Sequence, residues 1–154
     1  MNVLLPRLVL ASGLLLGLNL PACTDAPGLK AVDAVAAEHL EIVRGDKRLA
    51  ETTIDHLRDL ETVTVGEPGH TQEGIPLAAL LEDLKIENSN ITVIEAIGGD
   101  GYRAELDRAT TRSADTLIVF AIDGDDLPKH QGPIRLLTAD RALSVRDLRR
   151  LVIR

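Results

Sequence analysis

Aromatic side chains are almost absent: Tyr102 and Phe120 stand alone, and there is no tryptophan. That argues against a stacking platform for bases or sugars, which needs several aromatic faces, and it leaves the core to Leu, Ile, Val and Ala. Cysteine is nearly absent too. Cys23 is the only one, so no disulfide forms within the chain. A folded part that begins after it has no thiol for a zinc–thiolate site, an iron–sulfur cluster or a cysteine nucleophile. Positive charge is in deficit. The formal charge is −7, and it becomes −8 if Arg7 is lost with the N-terminal segment, which argues against general nucleic-acid binding. There is no Gly-rich phosphate loop, no catalytic serine motif and no His-x-x-x-His pair. Repeats and low-complexity segments are missing as well.

What is there begins with a leader. Arg7 precedes an uncharged apolar run from Leu8 to Leu20, which is too short to span a bilayer at roughly 20 residues but has the length of a signal-peptide core. Residues 1–22 are expected to be a signal peptide. Leu20-Pro21-Ala22-Cys23 resembles a bacterial lipobox, with proline at a position that usually holds a small residue. Cleavage before Cys23 and lipidation of that cysteine would anchor the protein to a membrane without spanning it. The chain is then periplasmic and tied to the cell envelope, and Thr24 after the cysteine does not favour retention in the inner membrane. Ordinary cleavage nearby, giving a soluble periplasmic protein, is the alternative. Residues 23–38 read as an Ala-rich tether, and residues 39–154 suit one domain.

Within that domain His39–Val43 reads as a strand and Gly45-Asp46 as a turn. Thr52-Thr53 is placed to cap a helix over Ile54–Leu60. Thr62–Val65 is a short strand, and Gly66–Gly74 reads as loop. A helix follows from Pro76, with Leu77, Leu80, Leu81 and Leu84 on one stripe. Ile91–Ile97 and Tyr102–Leu106 flank the tight turn Gly98-Gly99-Asp100-Gly101. Asp107 caps a helical turn, and the apolar run Thr116–Ile122 predicts an interior strand. After the Asp123-Gly124 turn and a loop over Leu127–Pro133 come a strand at Ile134–Thr138, a short helix capped by Ser144, and a closing strand at Leu151–Ile153. Short strands and helices without regular alternation make the fold class α+β.

Four pieces in this order carry a resemblance. They are Gly74-Ile75-Pro76-Leu77 with Leu80-Leu81; Asp100-Gly101-Tyr102; Leu127-Pro128 with His130, Gly132, Pro133 and Arg135; and Ser144-Val145-Arg146. Together they resemble the molybdopterin-binding domain of the sulfite oxidase family over roughly residues 40–154. The resemblance implies a single compact domain and molybdopterin as cofactor. It also implies cofactor contacts at Asp100, His130, Arg135, Ser144, Val145 and Arg146. The chemistry suits an anion: arginine offers a planar fork to phosphate, and a capped helix start offers free N–H groups. Arg146 stands where the family usually has lysine. Family enzymes hold molybdenum through a cysteine in the loop after the early strand. Here Val65–Glu73 has none, and a soft thiolate is not interchangeable with imidazole or carboxylate. The family's N-terminal arm and C-terminal sandwich lie outside the resembling stretch.

Plainer roles compete for these residues. Asp100 serves a turn beside glycine. His130 can be an exposed loop residue, and Arg135 can salt-bridge the acidic loop Asp123–Asp126. The basic group Arg135, Arg141, Arg146, Arg149, Arg150 and Arg154 can be a solvated edge paired with Asp140 and Asp147. His70 with Glu67 and Glu73 lacks a second histidine at ligand spacing, so no metal site is expected. His39 and His56 read as surface residues. Three functions follow: a domain that still holds molybdopterin; a non-catalytic periplasmic module for a small anionic ligand or a membrane-associated protein partner; or a structural envelope protein. The leader generates a direct test. Cys23→Ser is expected to move the protein from the membrane to the soluble fraction and to abolish the lipid mass at its N-terminus. Unchanged membrane association, read by fractionation and mass spectrometry, would sink the anchor.

Overall fold

The computed structural model describes residues 38–66 and 69–154. The leader, Cys23, the tether up to residue 37 and Glu67 lie outside the described residues. The described part opens with the hairpin β1 (His39–Arg44) and β2 (Lys47–Thr53). β1 follows its apolar pattern. β2 does not appear in the sequence pattern, because KRLAETT buries only Thr52. It forms as an edge strand through backbone pairing with β1, and its charges face water. Thr53 then caps α1 (Ile54–Asp59), its hydroxyl accepting from the His56 N–H at 3.3 Å.

β3 (Val63–Val65) pairs with β4 (Gln72–Pro76), and β4 pairs with β7 (Leu117–Ile122). Residues 72–74, expected as loop, are therefore strand. Their polar side chains conceal a backbone whose N–H and C=O groups are taken up on both sides. α2 (Leu77–Asp83) buries Leu77, Leu80 and Leu81 completely, on the stripe the spacing predicts. β5 (Val93–Gly98) and β6 (Arg103–Asp107) form the second hairpin. The Asp107 carboxylate caps α3 (Arg108–Arg112), accepting from the Thr110 N–H at 2.7 Å. That bond holds its carboxyl below the usual aspartate range. β7 is interior as expected, with β4 on one side and the short β8 (Asp125–Asp126) and β9 (Arg135–Leu137) on the other.

The last strand departs most from expectation. β10 (Leu148–Ile153) starts three residues earlier than the pattern predicts and does not close an edge. It is inserted between β1, to which it is parallel, and β5, giving the order β2-β1-β10-β5-β6. Ser144 caps no helix start. It ends a 3-10 turn over Arg141–Leu143 whose N-cap is Asp140, and its backbone is extended. Asp140 wins because its carboxylate accepts from the Ala142 N–H at 2.9 Å. The Ser144 hydroxyl instead accepts from the Thr138 N–H at 3.1 Å.

The two sheets share one core, with α2 packed into it. Leu40, Ile42, Leu151, Ile153, Ile94 and Leu106 come from the first sheet, and Ile75, Ile118, Phe120 and Leu136 from the second. Fully burying each such side chain contributes roughly 1.5–3 kcal/mol. The other face of the first sheet carries Val43, Ile97 and Val152, flanked by two buried carboxylates. The Glu41 carboxylate accepts from Arg150 Nε at 2.7 Å and Arg48 Nε at 2.8 Å. That of Glu95 accepts from Arg103 at 2.9 Å and Arg154 at 2.7 Å. No described helix is long and apolar enough to cross a membrane.

Burial decides what these ion pairs are worth. Arg150 and Glu41 are both buried, whereas the Arg48 side chain is 57% exposed. Glu41→Ala, which strips a buried guanidinium of its carboxylate, is expected to cost about 3 kcal/mol or more. Arg48→Ala is expected to cost no more than about 1 kcal/mol. Urea unfolding of the two variants checks this, and equal losses would contradict it.

Candidate functional site: an arginine-lined cleft

β9 and the segment before β10 are tied by a pair of backbone hydrogen bonds. Leu136 N–H donates to Val145 O at 2.8 Å, and Val145 N–H donates to Leu136 O at 3.0 Å. Strand alternation then sorts the side chains. Leu136 and Val145 are buried, while Arg135 and Arg146 are left at the surface beside them. Two glycines allow the 146–147 segment to lie where it does. A Cβ on Gly98 would stand 2.6 Å from the Arg146 carbonyl oxygen. Gly132 has φ +73°, and a Cβ there would stand 2.4 Å from the Asp147 Cα. Their places in the Gly-Gly and Gly-Pro turns therefore reflect close backbone approach as well as turn geometry.

These contacts frame a cleft of about 610 Å³. Of the six residues expected to form the site, Asp100, Arg135, Ser144, Val145 and Arg146 line it together. His130 does not. It lies exposed on the 3-10 turn Lys129–Gln131, and its neighbour Gln131 faces the cleft instead. Gln72, Tyr102, Gln131 and Arg141 complete the polar lining. Tyr102 is half exposed, its hydroxyl donating to Ala142 O at 2.5 Å. Gln72 sits where polar side chains read as loop, and only the pairing of β4 brings it to this wall. The Ser144–Arg146 segment offers no helix start to an anion, and the Val145 N–H is spent on Leu136.

The arginines divide into two groups. Arg149 grips Asp147 through two hydrogen bonds of 2.8 and 3.0 Å, Arg150 grips Glu41, and Arg154 reaches Glu95 and Glu105. Arg135, Arg141 and Arg146 form no ion pair among the described residues. The alternative pairing of Arg135 with the acidic loop is not made. Asp126 takes Arg58 at 2.5 Å, and Asp123 accepts from the Thr71 N–H and hydroxyl. Arg135 donates to the Gln131 side chain instead. Desolvation, with the nearby Arg146 charge adding to it, holds the Arg135 guanidinium below its ordinary value. Asp140 is spent on its cap, and Asp100 accepts from the Tyr102 N–H at 2.9 Å, a turn role. Among the described residues the cleft thus sets three guanidiniums without ion pairs against the single carboxylate of Asp100, on an acidic chain.

A larger cleft of about 810 Å³ lies across the Gly132–Asp147 contact, where Glu38, Asp55, Asp126 and Asp147 outnumber Arg58, Lys129 and Arg149. No group of three or more His, Cys, Asp or Glu side chains gathers among the described residues, and His70 has no such partners there.

Two sheets around a shared core with three short helices is the fold of the oxidoreductase molybdopterin-binding type. Residues 69–152, more than half of the chain, match the family model for the oxidoreductase molybdopterin binding domain, and the chain belongs to that family. Among solved structures, the sulfane dehydrogenase SoxCD from Paracoccus pantotrophus is similar, with a TM-score of 0.64 at 16% sequence identity. The match covers 87% of this chain and 49% of that one, so this chain spans about half the length of its structural neighbour. At that identity the likeness shows the fold. No curated protein matches the sequence.

The cofactor the family name implies has two ends to satisfy. Its phosphate fits a cleft where three guanidiniums lack a carboxylate partner. Its metal end does not fit the described residues, which include no thiolate and no cluster of hard ligands.

Proposed function

We propose that this chain is an exported, lipid-anchored member of the family that binds a small anion, or an anionic group on a membrane-associated protein partner, without molybdenum chemistry. One observation carries the reading: Arg135, Arg141 and Arg146 share a cleft and none has an ion-pair partner among the described residues. Burial without a carboxylate disfavours the Arg135 charge most, and the neighbouring Arg146 charge adds to it. An entering oxyanion relieves it with charge-assisted hydrogen bonds. The lack of a thiolate in the loop after β3 supports a binding role over catalysis. Export and anchoring rest on the leader and Cys23.

A second reading, an oxidoreductase subunit that holds its molybdenum without cysteine, draws on the family match and the phosphate-sized positive cleft. In it the metal is held through the cofactor's dithiolene with at most one oxygen or nitrogen ligand, since no group of three or more His, Cys, Asp or Glu side chains gathers among the described residues.

Anion binding is measurable by calorimetry with inorganic phosphate. Arg135→Gln and Arg146→Gln are each expected to weaken binding about tenfold or more, the loss of one charge-assisted contact. Rising salt is expected to weaken wild-type binding as well. Wild-type protein that binds no phosphate, or variants that bind it as tightly, would contradict the reading.

A further inference from the structure

Among the cleft's polar groups, one is an acceptor with nothing to accept. Gln72 Oε1 is shielded from water and has no hydrogen-bond partner, although the residue lines the cleft beside three arginines. Burying an acceptor without a donor is costly, and guanidiniums near it are placed to attract an anion. The terminal torsion of a glutamine is soft, so its carboxamide can turn the oxygen into the cleft when a donor arrives. Gln131 Oε1 and Ser144 Oγ, also on the lining, already accept from Arg135 and the Thr138 N–H. Asp100, whose Oδ1 receives the Tyr102 N–H, is the one carboxylate there among the described residues. Its negative charge disfavours an oxyanion that brings no proton. An arginine-lined cleft with a partnerless acceptor and a carboxylate therefore asks for a ligand that is anionic and still a donor.

We propose that Gln72 is a specificity-determining residue, and that the cleft selects an oxyanion carrying its own proton, of which hydrogenphosphate is the simplest. The inference rests on the anion-binding reading above. The arginines would take the charged oxygens, and the Gln72 carbonyl would accept the P–O–H hydrogen that sulfate and phosphate monoesters do not have as dianions.

Three probes of equal charge separate the cases by calorimetry at mildly alkaline pH and constant ionic strength. They are hydrogenphosphate, sulfate and methyl phosphate, and only the first carries an O–H. Wild-type protein is expected to prefer hydrogenphosphate to both others by about tenfold. Gln72→Leu is expected to lose most of that preference while its sulfate affinity stays within about twofold. Equal binding of the three by wild-type protein overturns this inference and leaves the anion site standing. So does a Gln72→Leu protein that keeps the full preference, or methyl phosphate binding as tightly as hydrogenphosphate. Binding of none of the three overturns the anion site and this inference with it. The wild-type comparison needs no variant, so a failure of Gln72→Leu to fold does not shield the proposal.

Discussion

The insertion of β10 between β1 and β5 is the constraint on which the rest depends. It pairs the final strand of the described chain in parallel with the first and antiparallel with β5. Every residue between β9 and β10 has to accommodate it. Leu148 N–H donates to Ile134 O at 2.7 Å, and Asp147 N–H donates to Gln131 O at 2.6 Å. Asp147 takes a left-handed φ of 47°, a conformation strained for a side-chain-bearing residue, and its carboxylate is held by Arg149. The turn at Asp147 carries the chain from Arg146, on the cleft, into the core at Leu148. The buried Glu41–Arg150 pair joins the same two strands on their other face. One strand insertion thus sets both the sheet and the position of the cleft's cations.

Charge is unevenly spent on this framework. On the first sheet Arg48, Arg103, Arg149, Arg150 and Arg154 each meet a carboxylate. The three arginines of the cleft meet none among the described residues. Arg135 and Arg146 project from adjacent positions of a two-strand bridge, which puts like charges side by side. An anion bound there would offset that repulsion. This arrangement persists although the loop after β3 lacks the thiolate that molybdenum catalysis needs. The anion-holding half of the family's chemistry is therefore the half supported by these residues.

Much of this was legible in the residues. Leu77, Leu80 and Leu81 announced α2, the apolar run at Thr116–Ile122 announced an interior strand, and Thr53 and Asp107 announced their caps. Side-chain pattern failed where pairing, not burial, makes the strand: β2 and the first half of β4 are polar, and only their neighbours hold them extended. Ser144 was misread because Asp140 competes for the same short turn with a stronger acceptor. In the candidate site, motif residues pointed to Asp100, Arg135 and Ser144–Arg146, and the structure brings these together. His130 lies one position away from the wall that Gln131 occupies, a difference no spacing argument resolves. Gln72 had no local signal, since its role arises from β4 pairing with β7.

The most direct test of the account is the molybdenum and pterin content of the protein expressed with its own leader in a cofactor-competent host. The account predicts a folded protein with neither at meaningful stoichiometry, as mass spectrometry of the metal and fluorescence of the oxidised pterin would read it. Near-stoichiometric molybdenum with pterin would contradict it, because the metal would then be held without the thiolate whose absence argues for a binding module.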